Sequence, residues 1–235
     1  MRKLFEPFSF YFQHSKMLTK TRMQYKLDAF LCCIAVFVRE SAGIVGVFLV
    51  LQTFNNIGGW NMQELFFLFS IIFLTYSFLV FLFSGIRDFS NIVNNGEFDK
   101  YLLRPRSVLL QIISANSDYF AAIGHGTLGL VLFIISANSI GTDWSFANIL
   151  YLIITIIGGV LIQASIWLLF SCSSFFLIKT DSLKDFLYWN TRKFAGYPLS
   201  VFPGFIQKLL MFVIPFAFVN YFPAQYFLHK PDLAN

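Results

Sequence analysis

Charge is what this sequence has least of: only 12% of its 235 residues are Asp, Glu, Lys or Arg, about half the share of an average soluble domain. Hydrophobic residues make up 57%, and mean hydropathy is +0.68. That balance excludes an ordinary soluble globule and indicates a polytopic membrane protein. The 32 Phe suit lipid-facing surfaces and need no ligand to explain them. Other absences narrow the function. No Gly-x-x-x-x-Gly-Lys-[Ser/Thr] occurs, so the chain cannot build a P-loop for ATP. No His-Glu-x-x-His occurs and no acidic cluster lies near His125, so an intramembrane metalloprotease is unsupported. Gly124-His125-Gly126 reads as a close helix contact, because one His is not a ligand set. The three cysteines (Cys32, Cys33, Cys172) lie in apolar runs without metal-ligand spacing and read as small buried hydrophobes. No metal, cofactor or catalytic site is expected on this chain.

A net charge of +5 invites a nucleic-acid partner, but the distribution of the basic residues rejects one. Five apolar runs stand at Ala29–Gln52, Leu65–Phe83, Leu109–Ser136, Ala147–Ile178 and Leu209–Leu228, each near the roughly 20 residues a helix needs to cross a bilayer. The fourth is long enough to include interfacial residues. Gly158-Gly159 would kink it or let another helix approach, and Pro215 would open the hydrogen-bond ladder of the fifth. The expected fold is all-α, with five transmembrane helices in one domain over residues 29–235. Residues 1–28 mix aromatics with six basic side chains and lack a continuous apolar core. They read as an amphipathic segment in the headgroup region, against membrane lipid, rather than a signal peptide or a disordered tail.

Basic residues set the orientation. All but Arg39 and Lys230 fall in the N-terminal segment, the Gly85–Ser107 connection or the Lys179–Lys208 stretch. The Thr53–Glu64 and Asn138–Phe146 loops carry none. By the positive-inside rule the N-terminus is cytoplasmic and five crossings leave the C-terminus outside.

The most distinctive stretch runs from Asn94 to Pro105. Asn94-Asn95-Gly96 is a turn signal, and Pro105 marks a break before the next helix. Between them Phe98, Tyr101 and Leu102 recur at i, i+3 and i+4, one apolar face of a short helix. Two readings of the residues stand side by side: a segment that presses on a partner, or a solvated loop that only sets topology. The intramembrane charges Arg39, Glu40 and Asp118 also need reasons. Arg39 and Asp118 fall at matching depth in the first and third runs, which permits an ion pair. A water-filled path between subunits, or an outward shift of the first span, would account for them too.

The pattern Gly96-Glu97-x-Asp99-x-x-Leu102-Leu103-Arg104-Pro105 resembles the loop after the second membrane helix of bacterial ABC-2-type transporter permeases. Gln24-Tyr25-Lys26-x-Asp28, Tyr197-Pro198, Phe202-Pro203, Pro215 and Asn220-Tyr221-Phe222-Pro223-Ala224 extend the likeness over nearly the whole chain. The resemblance implies an N-terminal interfacial helix, six membrane helices and a cytoplasmic coupling helix after the second. It implies a non-enzymatic permease of an ATP-driven exporter in the bacterial inner (plasma) membrane. The permease would pair with a second one, identical or related, and with separate ABC ATPase subunits that hold ATP and Mg. Phe98, Tyr101 and Leu102 would supply the contacts with the ATPase, with Glu97, Asp99 and Arg104 fixing orientation. It also implies continuation past Asn235 into a sixth helix. A non-transporting membrane sensor or immunity-type interaction protein is the alternative; it would tolerate changes at 94–105. Lipids, peptides, glycans and drugs all remain open as cargo.

Overall fold

The computed structural model describes residues 2–54, 56–177 and 185–230, with side chains from Ser9 onward except at Asp185 and Phe186. Every element among them is helical. The chain runs through α1 (Arg2–Arg22), a tight turn at Met23–Tyr25, α2 (Lys26–Phe54), α3 (Met62–Arg87), α4 (Phe89–Asn94), α5 (Asp99–Leu102), α6 (Val108–Ser114), α7 (Tyr119–Ile140) and α8 (Phe146–Cys172). After a π-helical turn at Asp185–Trp189 come α9 (Asn190–Ala195), α10 (Gly204–Lys208, continued by a wider turn to Val213) and α11 (Tyr221–Leu228). Four helices are long and apolar enough to cross a membrane: α2, α3, α7 and α8.

α3 forms the centre. Leu65, Phe67, Leu68, Ile71 and Leu79 are fully buried on it, and a reciprocal cap between Asn61 and Glu64 starts it. Neighbours approach α3 and α2 closely where a Cβ is missing. Gly124 on α7 lies against Val36 and the Cys33 carbonyl, Gly126 against Ser77, and Gly159 on α8 against Thr75 and Val219. The expected close contacts at Gly124-His125-Gly126 and at Gly159 are therefore present. The Cys33 thiol donates to the Phe120 carbonyl (3.1 Å), and Ser77 Oγ donates to that of Ala122 (2.7 Å). Such bonds satisfy hydroxyls and thiols that lipid cannot. The cysteine reading needs one correction: Cys32 and Cys33 are half-buried, but Cys172 is exposed at the end of α8.

α1 lies across the end of the bundle where α3 finishes. Tyr11 donates to the carbonyls of Phe81 and Leu82 (3.2 Å each), while Arg22, eleven residues on, reaches Asp118 at the start of α7. A helix continuing the direction of α2 would instead have carried Tyr11 about 16 Å beyond Arg22. The basic residues of α1, with Arg87, Lys100, Arg104 and Arg106, mark this as the basic end.

Two expected spans are redrawn. The third run is not one helix, because Asn116, Ser117 and Asp118 take the chain out of it. Such side chains bond locally and compete with the helical ladder: the Asn116 side chain accepts from the Ser117 amide (2.8 Å). α7 alone, at 22 residues, measures about 33 Å and is long enough to cross.

The fifth run is not a crossing. It is the arm of a hairpin, α10 and α11, bent by 76° about Pro215. Both ends touch the α2–α3 loop: Ser200 Oγ donates to the Gly58 carbonyl (3.0 Å), and Lys230 Nζ to that of Gly59 (2.8 Å). Between those ends Phe216 packs on Tyr188, whose hydroxyl donates to Gln163 well inside α8 (2.9 Å). The segment therefore enters from the end opposite the basic one, dips to the level of Tyr188 and returns. Pro215 turns it, having no amide to continue the ladder. Tyr221-Phe222-Pro223-Ala224 forms the first turn of α11, where proline's missing donor costs nothing, and Tyr221 is buried.

The fifth passage is made earlier. Phe175 packs on Phe89 and Phe98 at the basic end, and Ser200 is already at the other, so the chain crosses between them. Arg192 and Lys193 belong to that passage, and Lys208 follows Ser200 in the hairpin, so Lys179–Lys208 is not one basic connection. Ile178, Lys179, Lys184 and residues 231–235 lie outside the described residues.

Candidate functional site

The Gly85–Ser107 segment leaves α3 and returns to it with little slack. Gly85 lies so near α6 that a Cβ there would sit 2.0 Å from the Ile112 carbonyl oxygen, a separation only glycine permits. α4 then ends in a left-handed Gly96 (φ 70°). The Glu97 amide donates to the Ile92 carbonyl (2.9 Å) and the Gly96 amide to that of Val93 (3.0 Å), the paired bonds that close a helix at glycine. α5 is a single turn. Glu97 pairs with Lys100 (3.2 Å), and Gln111 Nε2 donates to the carbonyls of Tyr101 (3.2 Å) and Arg106 (3.0 Å). The Arg104 guanidinium lies over the Tyr101 ring and that of Arg106 over Phe10.

This arrangement divides the expected apolar face. Phe98 turns inward, edge-on to Phe89 and Phe175 (5.6 and 5.0 Å between centroids), and so ties α5 to the start of α4 and to the turn that follows α8. Tyr101 is half-buried. Leu102 and Leu103 point away, 56% and 86% exposed, flanked by exposed Asp99, Arg104 and Pro105. The helical spacing of Phe98, Tyr101 and Leu102 hid this division, because one turn is too short to keep a face. Gln111, a polar residue within an apolar run, was the visible sign that the loop is clamped from below.

The expected Arg39–Asp118 pair is not formed. Asp118 is held by Arg22 (2.9 Å) and Arg87 (3.5 Å), with Asn116 linking Arg22 to Asp88 beside it. The break before α7 explains the difference. It places Asp118 within reach of Arg22 and Arg87 at the ends of α1 and α3, whereas Arg39 lies six residues beyond Cys33, the α2 residue that meets the first turn of α7, and pairs with Glu40 instead.

The family model described as "ABC-2 family transporter protein" matches residues 37–235, from mid-α2 through the clamped segment and the hairpin. The chain belongs to the ABC-2 transporter family. No curated protein and no solved structure matches it.

This ABC-2 membrane domain carries another charged cluster, deeper in the bundle. Glu40 receives Arg39 (2.9 Å) and Arg192 (3.7 Å), with His125 Nδ1 4.0 Å away. Arg192 is buried, its guanidinium 3.9 Å from the centroid of the Tyr76 ring and within 5.5 Å of those of Phe73 and Trp189. Cation–π contact partly replaces the hydration it has lost. Arg39, by contrast, has 63% of its side chain exposed on a helix otherwise dressed in Phe30, Ile34, Val38, Val45 and Leu49. Arg192 escaped the sequence reading because it stood in a supposed loop, and His125 because no acidic residue lies near it along the chain.

Proposed function

We propose that this permease works in an ATP-driven exporter of the bacterial cell membrane, with its basic end in the cytoplasm and the Leu102–Leu103 tip docked on a separate ATPase. The observation that carries this reading is the contrast within α5: its outer leucines are bare while its inner side is clamped. Two adjacent leucines at 56% and 86% exposure, beside charged residues, match the apolar centre and polar rim of a protein contact. The clamp supplies the transmission. Phe98 links the tip to α4 and to the turn after α8, and Gln111 links it to α6, so a push on α5 is passed to all three. Glu97, Asp99 and Arg104 set the orientation of docking. A second permease, identical or related, is the companion we place against the outer face of α2, where Arg39 stands exposed among apolar side chains. Membership of the ABC-2 family supports the transport of a cargo, and export is the direction we assign to it.

The test is co-purification with a co-expressed ABC ATPase. Reversing both acidic residues, Glu97→Lys with Asp99→Lys, should leave membrane insertion intact while lowering ATPase retention and transport-coupled hydrolysis. Normal retention and transport by the double variant would refute the docking assignment.

A further inference from the structure

A cavity of about 560 Å³ opens beside the deeper charged cluster, lined by α2, α3 and the fifth passage. Its two ends differ. Arg39, Glu40, Arg192 and Lys193 supply the polar end, whereas Ile44, Val47, Phe69 and Ile72 supply an apolar wall further along α2 and α3. Three cations therefore face one carboxylate, and Glu40 is already shared between two of them. Lys193 is exposed and no acid among the described residues pairs with it. Charge inside a membrane persists where it is paired or where it serves a polar guest; here the pairing is incomplete by two charges. The volume lies in the range of small-molecule sites.

We propose that this cavity binds an anionic amphiphile, its carboxylate or phosphate between Arg39, Arg192 and Lys193 and its apolar body along Ile44, Val47, Phe69 and Ile72. The guest's charge balances the surplus cations, and its chain covers aromatic and aliphatic wall that water would wet poorly. Glu40 sets the strength of the site by competing for the same two guanidinium groups. Such a guest has two sources: an anionic lipid of the bilayer, or an exported cargo, the latter resting on the permease reading above.

The experiment uses the full chain in phosphatidylcholine nanodiscs, without an ATPase, so that it stands apart from the docking test. The probe is a dansyl-labelled undecanoic acid, read by energy transfer from tryptophan, with its methyl ester as the neutral control. The acid should bind about tenfold or more tighter than the ester, as hydrogen bonds to charged groups require. Arg39→Gln with Lys193→Gln should remove about tenfold of that preference while leaving ester binding unchanged, which also shows the variant to be folded. Glu40→Gln should bind the acid more tightly, a gain that misfolding cannot produce. Equal binding of acid and ester, or weaker acid binding by Glu40→Gln, would overturn the proposal. Phosphatidylglycerol added to the disc separates the sources: displacement of the probe supports a lipid guest, and retention supports a cargo.

Discussion

Two carboxylates in this permease each sit between two arginines, and they serve different ends. Asp118 joins Arg22 and Arg87 where α1, α3 and α7 meet, and Asp88 stands beside them as another acid. Two acids meet two bases, the side chains are partly wet, and the group acts as a staple. Glu40 joins Arg39 and Arg192 deeper in the bundle, with Lys193 nearby, aromatic rings around it and a cavity alongside. One acid meets three bases there. Balance at the membrane end marks structure; imbalance in the interior marks a place that something else completes.

The comparison is tested most severely at Glu40. Glu40→Leu leaves buried Arg192 without its carboxylate, and removing one partner of a buried pair costs about 3–5 kcal/mol. The thermal midpoint in detergent should fall by more for this variant than for any other here. If the loss is no larger than at the membrane end, the interior cluster is wetter than its burial implies. Next comes Gly85→Ala, where the new Cβ would meet the Ile112 carbonyl and nearby backbone. Backbone cannot yield as a flexible side chain does, so overpacking should cost about 1–3 kcal/mol. The same thermal scan measures it, and an unchanged midpoint would mean that α6 does not seat on α3 as described.

Much of this fold was legible from hydropathy, because α3 and α8 are long apolar runs and only Arg39-Glu40 interrupts the run of α2. The failures share a cause. The fifth passage contains Arg192 and Lys193, and charge reads as loop until the rings of Tyr76, Phe73 and Trp189 are seen to shelter it. The hairpin fails in the opposite sense: Leu209–Leu228 is apolar enough to cross, and only the contacts of Ser200 before it and Lys230 after it with Gly58 and Gly59 show that it returns. Depth is a tertiary property that composition does not carry. The same gap misplaced Asp118, since the break at Asn116–Asp118 shortens the helix from which its depth was counted. At the basic end, the Asn95-Gly96 turn was readable because a positive φ demands particular residues, whereas the inward turn of Phe98 depends on Phe175, which lies far along the chain.

Asp118→Asn probes the balanced cluster and should cost much less than Glu40→Leu. Arg22 is 42% exposed along its side chain, and an ion pair open to solvent contributes about 1 kcal/mol or less. Arg87 keeps Asp88 at 3.0 Å as an alternative partner. A small fall in thermal midpoint, reduced further in high salt, is the expected result. A loss as large as that of Glu40→Leu would erase the distinction between staple and site.

The smallest effect on stability belongs to Leu103→Asp, and it separates folding from coupling. Leu103 is 86% exposed and follows a turn held by Gln111 and Phe98 rather than by itself. Substitution at such a position changes stability by about 0.5 kcal/mol or less, so the thermal midpoint should hardly move. Its apolar surface is nonetheless the most exposed on the clamped segment, and a carboxylate there would be desolvated unpaired in any docked complex. ATPase retention should therefore collapse while the permease alone stays folded. Phe98→Ala is the matched control: it frees α5 from Phe89 and Phe175, so it should leave the leucine tip able to bind but weaken the mechanical link through α4 and the end of α8. Binding lost in the first variant, and binding kept with poor coupling in the other, is the pattern that a docked lever requires. If both variants lose only binding, the tip is a handle without the lever.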